Sequence, residues 1–349
     1  MTAKNRAIVY SEFGAAGVLH EAERDIVEPG PGEVRVRVVV SGVNPTDWKT
    51  RTGATAMAPV AAEGQVPNQD GAGVVDAVGA GVTGLAVGDR VWLVMAAYQR
   101  PGSGTAQEYT VVPADRAIPL PDGVGFEAGA SLGVPAMTAH RALTVHEGAP
   151  ARLAPGALAG RNVLVAGGAG AVGNAAIQLA VWAGATVAAT VSSAEKAELA
   201  RRAGAHHVVH YRDADAADRL RAALPDGVDV VVEVAAAHNA ELNLAVLRSG
   251  GTIAVYANDS SGGPLDVDVR RHMVLNVRYQ FVLLYTVPRP ALAEGAAAVN
   301  AALAAGALRF GAEAGVPFHE FALADAAAAH AAVEGGAIGK VLIRISPRD

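Results

Sequence analysis

The stretch "VLVAGGAGAVGNAA", Val163 to Ala176, carries an aliphatic run into four glycines and out into an alanine-rich segment. Gly168, Gly170 and Gly173 fit G-x-G-x-x-G, following a strand from Asn162 to Val165 and opening a helix that continues through Ile177 and Leu179. Glycine in such a turn permits a tight bend and lets backbone amides approach a pyrophosphate, while the helix N-terminus adds partial positive charge. A glycine-rich βα turn can also hold nothing, but the strand-turn-helix setting favours dinucleotide binding. No charge interrupts Asn162 to Ala194, a length that would pass for a membrane span. Five glycines punctuate it, with Asn174 and Gln178 inside, so it reads as strand, turn, helix and strand.

Downstream, "ATVAATV", "HHVVHY", "VDVVVEV" and "GTIAVYA" alternate with helical stretches such as "AEKAELARRAGA" and "AADRLRAAL". That alternation is the pattern of a parallel, doubly wound α/β sheet. Upstream of about Phe126 the texture differs. "GEVRVRVVVSGVN" alternates Val34, Val36 and Val38 with Arg35 and Arg37, and "GAGVVDAVGAGV" and "GDRVWLV" are short runs cut by glycine, as in a small, sharply turning barrel. The alanine-dense segments near Ala296–Ala305 and Ala324–Ala332 are expected to be helices. At 349 residues with 51% hydrophobic content, the chain has material for two domains.

Zero cysteines exclude disulfides, thiolate metal sites, cysteine nucleophiles and dithiol redox chemistry, so redox work needs a borrowed cofactor. A formal net charge of -6 offers no overall attraction to nucleic acid or anionic membrane. Small molecules are the expected partners. The apolar run in "MTAKNRAIVYSEFG" is too short for a signal peptide, which makes a cytoplasmic location the expectation.

NAD-binding sheets place an acid about twenty residues past the glycines to hold a ribose hydroxyl, yet this chain reads "AATVSSAEK" there. Ser192 and Ser193 can donate to a 2'-phosphate and Lys196 can supply charge, which favours NADP over NAD. Ser192 with Glu195 also fits a capping box, a role compatible with phosphate binding because a capped helix start still attracts anions.

At this point the chain resembles a known family, the zinc-free quinone oxidoreductase, or zeta-crystallin-like, branch of the medium-chain dehydrogenases and reductases. "GVNPTDWK", "PNQDGAGVVDAVG", "GDRV", "GVPAMTAHRAL", "AGGAGAVGNAAIQLA", "GAHHVVHYRD" and "GTIAVYA" stand in the family's order. The resemblance implies a GroES-like β-barrel catalytic domain, residues 1–127 completed by 310–349 with "GKVLIRI" as a barrel strand. It also implies a Rossmann NADPH-binding domain at 128–309, a cleft at their junction, and a homodimer. Ala171 departs from the second glycine of many members, and Lys49 stands where bacterial quinone reductases often carry tyrosine. Ala171, Val172 and Gly173 are expected to line the phosphates, Tyr211 the adenosine, and Phe281, Val282 and Leu283 the nicotinamide.

Zinc-dependent relatives place a cysteine near Asn44 and a histidine near Gln69; here both ligand types are missing, so no catalytic zinc is expected. His206, His207 and His210 read as ordinary strand residues and His140 as structural. Without a Lewis acid the acceptor must itself be electrophilic, a quinone or conjugated enone. Asn44 is expected to donate a hydrogen bond to its oxygen or to hold the nicotinamide ribose, and Lys49 to stabilise or protonate the enolate. Asp47 reads as a local cap, and Trp48 as core packing. Two alternatives remain: a reductase of 2-alkenals or enoyl thioesters, and a non-enzymatic NADPH-binding protein with a structural or RNA-binding role.

Overall fold

The computed structural model describes residues 4–55, 59–257 and 263–346. The chain divides into two compact units, Met1–Val134 with Phe318–Asp349, and Pro135–Pro317. In the first, β1 (Lys4–Val9) and β2 (His20–Asp25) pair antiparallel as a separate two-stranded sheet. The strands β3 (Glu33–Val43), β4 (Asp70–Val78), β5 (Arg90–Leu93), β6 (Tyr109–Pro113) and β7 (Ala117–Pro119) belong to a seven-stranded sheet. Val34, Val36 and Val38 of β3 are wholly buried, while Arg35 between them reaches out to Glu28 and Asp76. One wet face and one dry face thus follow from the period-two pattern. Helix α1 (Pro45–Arg51) leaves β3 directly, with proline at its first turn. A further helix, α2 (Phe126–Gly129), follows, and α3 (Gly133–Leu143) begins at the end of this stretch and runs on into the second unit.

The second unit holds a six-stranded, all-parallel sheet of β8 (Asn162–Ala166), β9 (Thr186–Val191), β10 (His207–His210), β11 (Val228–Glu233), β12 (Leu247–Val255) and β13 (Arg278–Phe281). Their order is β10-β9-β8-β11-β12-β13, so the winding reverses between β8 and β11, and the glycine turn leaves β8 beside that reversal. All six residues of β11 are buried, as a strand covered on both faces requires. The helices α4 (Ala171–Trp182), α5 (Ala194–Arg202), α6 (Ala216–Ala223), α7 (Ala236–Val246), α8 (Val269–Leu275) and α9 (Arg289–Ala304) complete this unit. Among the described residues, no helix is long and apolar enough to cross a membrane.

The chain then returns to the first unit through β14 (Phe318–Ala322), α10 (Ala326–Glu334) and β15 (Lys340–Arg344). β15 runs antiparallel to the end of β3, with Val341 opposite Val43 and Leu342 opposite Gly42. The changeovers fall at 134/135 and 317/318, later than the expected 127/128 and 309/310. At the first, the Val134 N–H donates to Asp70 Oδ1 at 2.8 Å, which ties the start of α3 to the barrel. At the second, the buried α4 side chains Asn174 and Gln178 hold the carbonyls of Ala314 and Arg309, keeping that segment with the nucleotide sheet.

Candidate active site

The three glycines of the turn have different reasons to be glycine. A Cβ on Gly168 would lie 2.8 Å from Ala189 Cβ, and one on Gly173 would lie 2.4 Å from the Gly167 carbonyl oxygen, so both are demanded by packing. A Cβ on Gly170 would meet nothing closer than 3.4 Å, and Gly170 is exposed. The protein itself leaves that face open, as a backbone meant to be approached by a ligand does. Gly170 is also the N-cap of α4, and its carbonyl accepts the Asn174 N–H at 2.8 Å. The N–H groups of Ala171, Val172 and Gly173 therefore have no acceptor within the helix and form a cradle of donors for an anion.

Beside the turn, β9 ends at Val191 and α5 begins at Ala194. The N-cap is Ser193, whose Oγ accepts the Lys196 N–H at 3.3 Å. This corrects the expected Ser192–Glu195 capping box: Ser192 sits one residue before the extended cap position and is released from that role. Its hydroxyl instead accepts from Lys196 Nζ at 3.1 Å. The Tyr211 N–H donates to the Val191 carbonyl at 3.2 Å, which places Tyr211 next to this corner, edge-on to His238. His206 Nδ1 accepts the Val187 N–H, and His207 and His210 lie in β10, as ordinary strand residues. On the far side of the sheet, Phe281 and Leu283 are exposed and Val282 is buried, its N–H donating to the Val255 carbonyl. A cavity of about 710 Å³ between Asn162, Thr186, Asp229 and Arg248 lies at the N-terminal ends of the strands, opposite the glycine turn.

The barrel site is organised by residues that the sequence reading passed over. Lys340, one residue before the β15–β3 pairing begins, falls opposite Asn44, and Asp70 at the head of β4 falls opposite Gly42. The end of β3 is thus flanked by a cation on one side and an anion on the other. Lys340 Nζ donates to Asn44 Oδ1 at 2.7 Å and lies 3.4 Å from Asp70 Oδ2, while Asn44 Nδ2 donates to that same carboxylate oxygen at 2.6 Å. All three side chains are nearly inaccessible. Glycine makes the room: a Cβ on Gly133 would lie 2.1 Å from Asp70 Oδ1, and one on Gly42 would lie 2.1 Å from the Ala130 carbonyl oxygen as well as 3.1 Å from Lys340 Cε. Burial lowers the Lys340 pKa against the pull of Asp70, and raises that of Asp70 against Lys340, Asn44 and the Val134 N–H.

Asp47 caps α1 as expected, its Oδ2 accepting the Asn44 N–H at 2.7 Å, but it also reaches beyond the helix. Its Oδ1 accepts the Gln69 N–H at 3.1 Å, so one carboxyl ties together the segments bearing Asn44 and Gln69. Gln69 Oε1 is buried without a partner. Trp48 is half-buried rather than a core residue, with Lys49 Nζ 5.7 Å from its ring centre. Behind these groups, His330 Nε2 donates to Asn68 Oδ1 at 2.9 Å, leaving Nδ1 bare, and the fully buried Arg51 pairs with Glu334 at 2.6 Å. His140 lies buried in α3 as a neutral ring, its pKa lowered to about 4 chiefly by desolvation.

A barrel joined to a doubly wound nucleotide sheet defines the medium-chain dehydrogenase/reductase class. The profile described as "Alcohol dehydrogenase GroES-like domain" matches residues 30–122, and that described as "Zinc-binding dehydrogenase" matches residues 171–300. The quinone oxidoreductase of Rattus norvegicus is 32% identical over 343 residues, 97% of each chain. A 2-haloacrylate reductase of Burkholderia sp is 31% identical over 345 residues, 97% of this chain and 98% of that one. The crystal structure of Escherichia coli quinone oxidoreductase complexed with NADPH superposes with a TM-score of 0.79 at 26% identity, covering 97% of this chain and 99% of that one. The chain belongs to the quinone oxidoreductase, zeta-crystallin-like branch of the medium-chain dehydrogenases and reductases, and is an oxidoreductase.

The barrel unit carries opposing titrations. Burial, reinforced by the nearby Asp70 carboxylate, pushes the Asp47 pKa up to about 8. An unfolded aspartate titrates near 3.9, so this group's contribution is fully present below about pH 4 and is lost as pH rises toward 8. The His330 pKa is pushed down to about 3 by desolvation, with Arg51 adding to it. Its contribution is present above the unfolded value near 6.5 and is lost as pH falls. The two nearly cancel between about pH 4 and 6.5, leaving a fall of up to about 1.4 kcal/mol per pH unit from 6.5 to 8. Urea midpoints followed by barrel tryptophan fluorescence (Trp48 and Trp92) should decline over that range, and Asp47→Asn should flatten the decline; an unchanged slope in the variant would assign it elsewhere.

Proposed function

We propose that this protein transfers hydride from NADPH to a quinone without a metal. The observation that carries this reading is the donor set of the barrel: an amide whose oxygen is already held by an ammonium, beside a second amide at Gln69. Zinc does not fit such a set. Asn44 Oδ1 is taken by Lys340, the chain has no cysteine, and no three His, Asp or Glu side chains converge among the described residues. Alcohol oxidation without a Lewis acid lacks its usual means of stabilising an alkoxide, whereas a quinone spreads incoming charge through conjugation.

When bound, NADPH supplies the hydride. The Ala171–Gly173 amides and the open face of Gly170 hold its pyrophosphate, Ser192 and Lys196 its 2'-phosphate, with Ser193 fixing the helix start beneath them, and Tyr211 flanks the adenosine. The backbone at Phe281, Val282 and Leu283 meets the carboxamide. Asn44 donates its remaining N–H to the acceptor oxygen, and Lys49 supplies charge or a proton as electron density arrives there. Lys49 has no carboxylate partner among the described residues, which also favours a second reading, a conjugated acid or enone as acceptor, the chemistry named for the Burkholderia relative.

The bare edge strand β13 supports a homodimer. Phe281 and Leu283 at this edge are exposed, as are Met273 and Val274 of α8, and unpaired edges invite a second strand. Light scattering at micromolar concentration should return twice the monomer mass, and Phe281→Asp should return the monomer mass; a monomeric parent protein would contradict the assignment.

Lys196→Ala should weaken NADPH binding by about tenfold or more while leaving NADH nearly unchanged, because only NADPH carries the 2'-phosphate. Equal loss for both would remove Ser192 and Lys196 from the phosphate site. The acceptor is tested by NADPH oxidation against quinones, enones, haloacrylates and saturated alcohols in the reverse direction, with and without a chelator. Quinones and enones should react with no chelator effect, and Lys49→Ala should slow enones by about tenfold or more at unchanged NADPH affinity. Efficient, chelator-sensitive oxidation of ordinary alcohols would overturn the reading.

A further inference from the structure

Asn44 is a symmetric-looking amide that must choose which end to present. Lysine is a donor only and an ionised carboxylate an acceptor only, so the Lys340 ammonium selects the amide oxygen and the Asp70 carboxylate selects the amide nitrogen. The Asn44 backbone is pinned as well, its N–H on Asp47 Oδ2 and its carbonyl accepting the Asp47 N–H at 3.0 Å. After these bonds the side chain has one N–H left, with no acceptor among the described residues. The amide is therefore committed as a donor.

We propose that Lys340 and Asp70 are positioning residues that lock the Asn44 carboxamide in a donor-only orientation, so that its free N–H meets an electron-accepting oxygen of the substrate. This rests on the reading of Asn44 as the acceptor-binding residue. The surrounding structure supports a device of this kind. Room for the carboxylate is kept by Gly133, where any side chain would collide with it, while a Cβ on Gly42 would strike the Ala130 carbonyl oxygen at 2.1 Å and crowd the lysine stem at 3.1 Å. Asp70 is held independently of Lys340, by the Val134 N–H on Oδ1 and by Thr105 Oγ1 on its carbonyl at 2.5 Å. Thr105 in turn is linked through Ser41 to Asn68 and His330. A buried ion pair of this sort rarely adds net stability, since the desolvation of both charges offsets their attraction. Orientation of the amide is what it supplies: a rotated amide would set its own N–H groups against the ammonium and present oxygen to an oxygen.

The test is a double-mutant cycle on the full-length enzyme, with Asn44→Ala, Lys340→Met and the combination, supplemented by Asp70→Asn/Lys340→Met. The last variant leaves no lone buried charge and serves where Lys340→Met alone does not fold. NADPH affinity by fluorescence and urea midpoints accompany the kinetics. Asn44→Ala should lower kcat with a quinone by about tenfold to hundredfold, as loss of one oriented donor does. Lys340→Met, or the paired variant, should lower kcat by at least half that factor on a logarithmic scale, with NADPH affinity within about twofold. Adding either to Asn44→Ala should cost nothing more, because groups acting through one residue are not additive. Independently of turnover, the Asn44 side-chain NH2 signals in ligand-free protein, identified by their loss in Asn44→Ala, should be sharp and well dispersed in the parent. In Lys340→Met or the paired variant they should move toward the shifts of an unconstrained asparagine amide, because flipping about the Cβ–Cγ bond mixes their environments while the stiff C–N bond keeps the two protons distinct. Losses that multiply in the double mutant, or amide signals unchanged without Lys340, overturn the positioning role alone. Wild-type kcat in Asn44→Ala removes the donor reading itself and this proposal with it.

Discussion

The antiparallel pairing of β15 with the end of β3 is the contact on which the barrel site depends. It brings a lysine from near the end of the described chain to an asparagine 296 residues earlier, inside a layer where neither can be solvated. Charge in such a place is tolerated only when its bonding capacity is taken up. Lys340 and Asp70 are satisfied by each other and by Asn44 within a triangle of contacts, Asn44 keeping one free N–H, and the surrounding positions are shaped to permit it, most plainly at Gly133. The polar cluster is thus a geometric fixture inside an aliphatic sheet, and the segment carrying α1 takes its orientation from it.

The nucleotide unit uses glycine in the opposite sense. In the barrel, absent side chains admit the protein's own groups; at the turn after β8, Gly168 and Gly173 admit neighbouring chain, while Gly170 admits nothing that belongs to the protein. That difference separates glycines required by the packing from one whose outer face stays open, a distinction the motif alone does not make. The adjoining corner is similarly divided, with Ser193 engaged in starting a helix and Ser192 and Lys196 joined to each other at the end of β9.

Much of this was legible in the sequence because it is written in local periodicity. Alternating valines gave β3 its two faces, aliphatic runs alternating with helical segments gave the parallel sheet, and the glycine spacing gave the turn. The tail strand was placed by resemblance, and β15 does join β3. What stayed illegible is set by distance along the chain. Asp70 and Lys340 lie in the quoted stretches "PNQDGAGVV" and "GKVLIRI", but nothing within either stretch says that the two meet. A lysine heading an otherwise aliphatic strand was the available signal, and it is a weak one. The unit boundaries slipped for the same reason: the bond from Val134 to Asp70 and those from Asn174 and Gln178 to the 309–314 segment join residues far apart in sequence. The choice between Ser192 and Ser193 as cap turned on a single residue of strand length.

Because β14 and β15 follow the whole of Pro135–Pro317, the ribosome delivers them after the nucleotide sheet has been made. A nascent chain can therefore complete its βαβ unit, whose contacts are sequential, while β3 still exposes the edge that β15 will cover. During that interval the carboxylate of Asp70 and the amide of Asn44 remain without their cation. Barrel closure and assembly of the Asn44–Asp70–Lys340 cluster are consequently one event, following synthesis of the nucleotide sheet. A chain made only as far as Pro317 can hold the glycine turn but not that buried cluster.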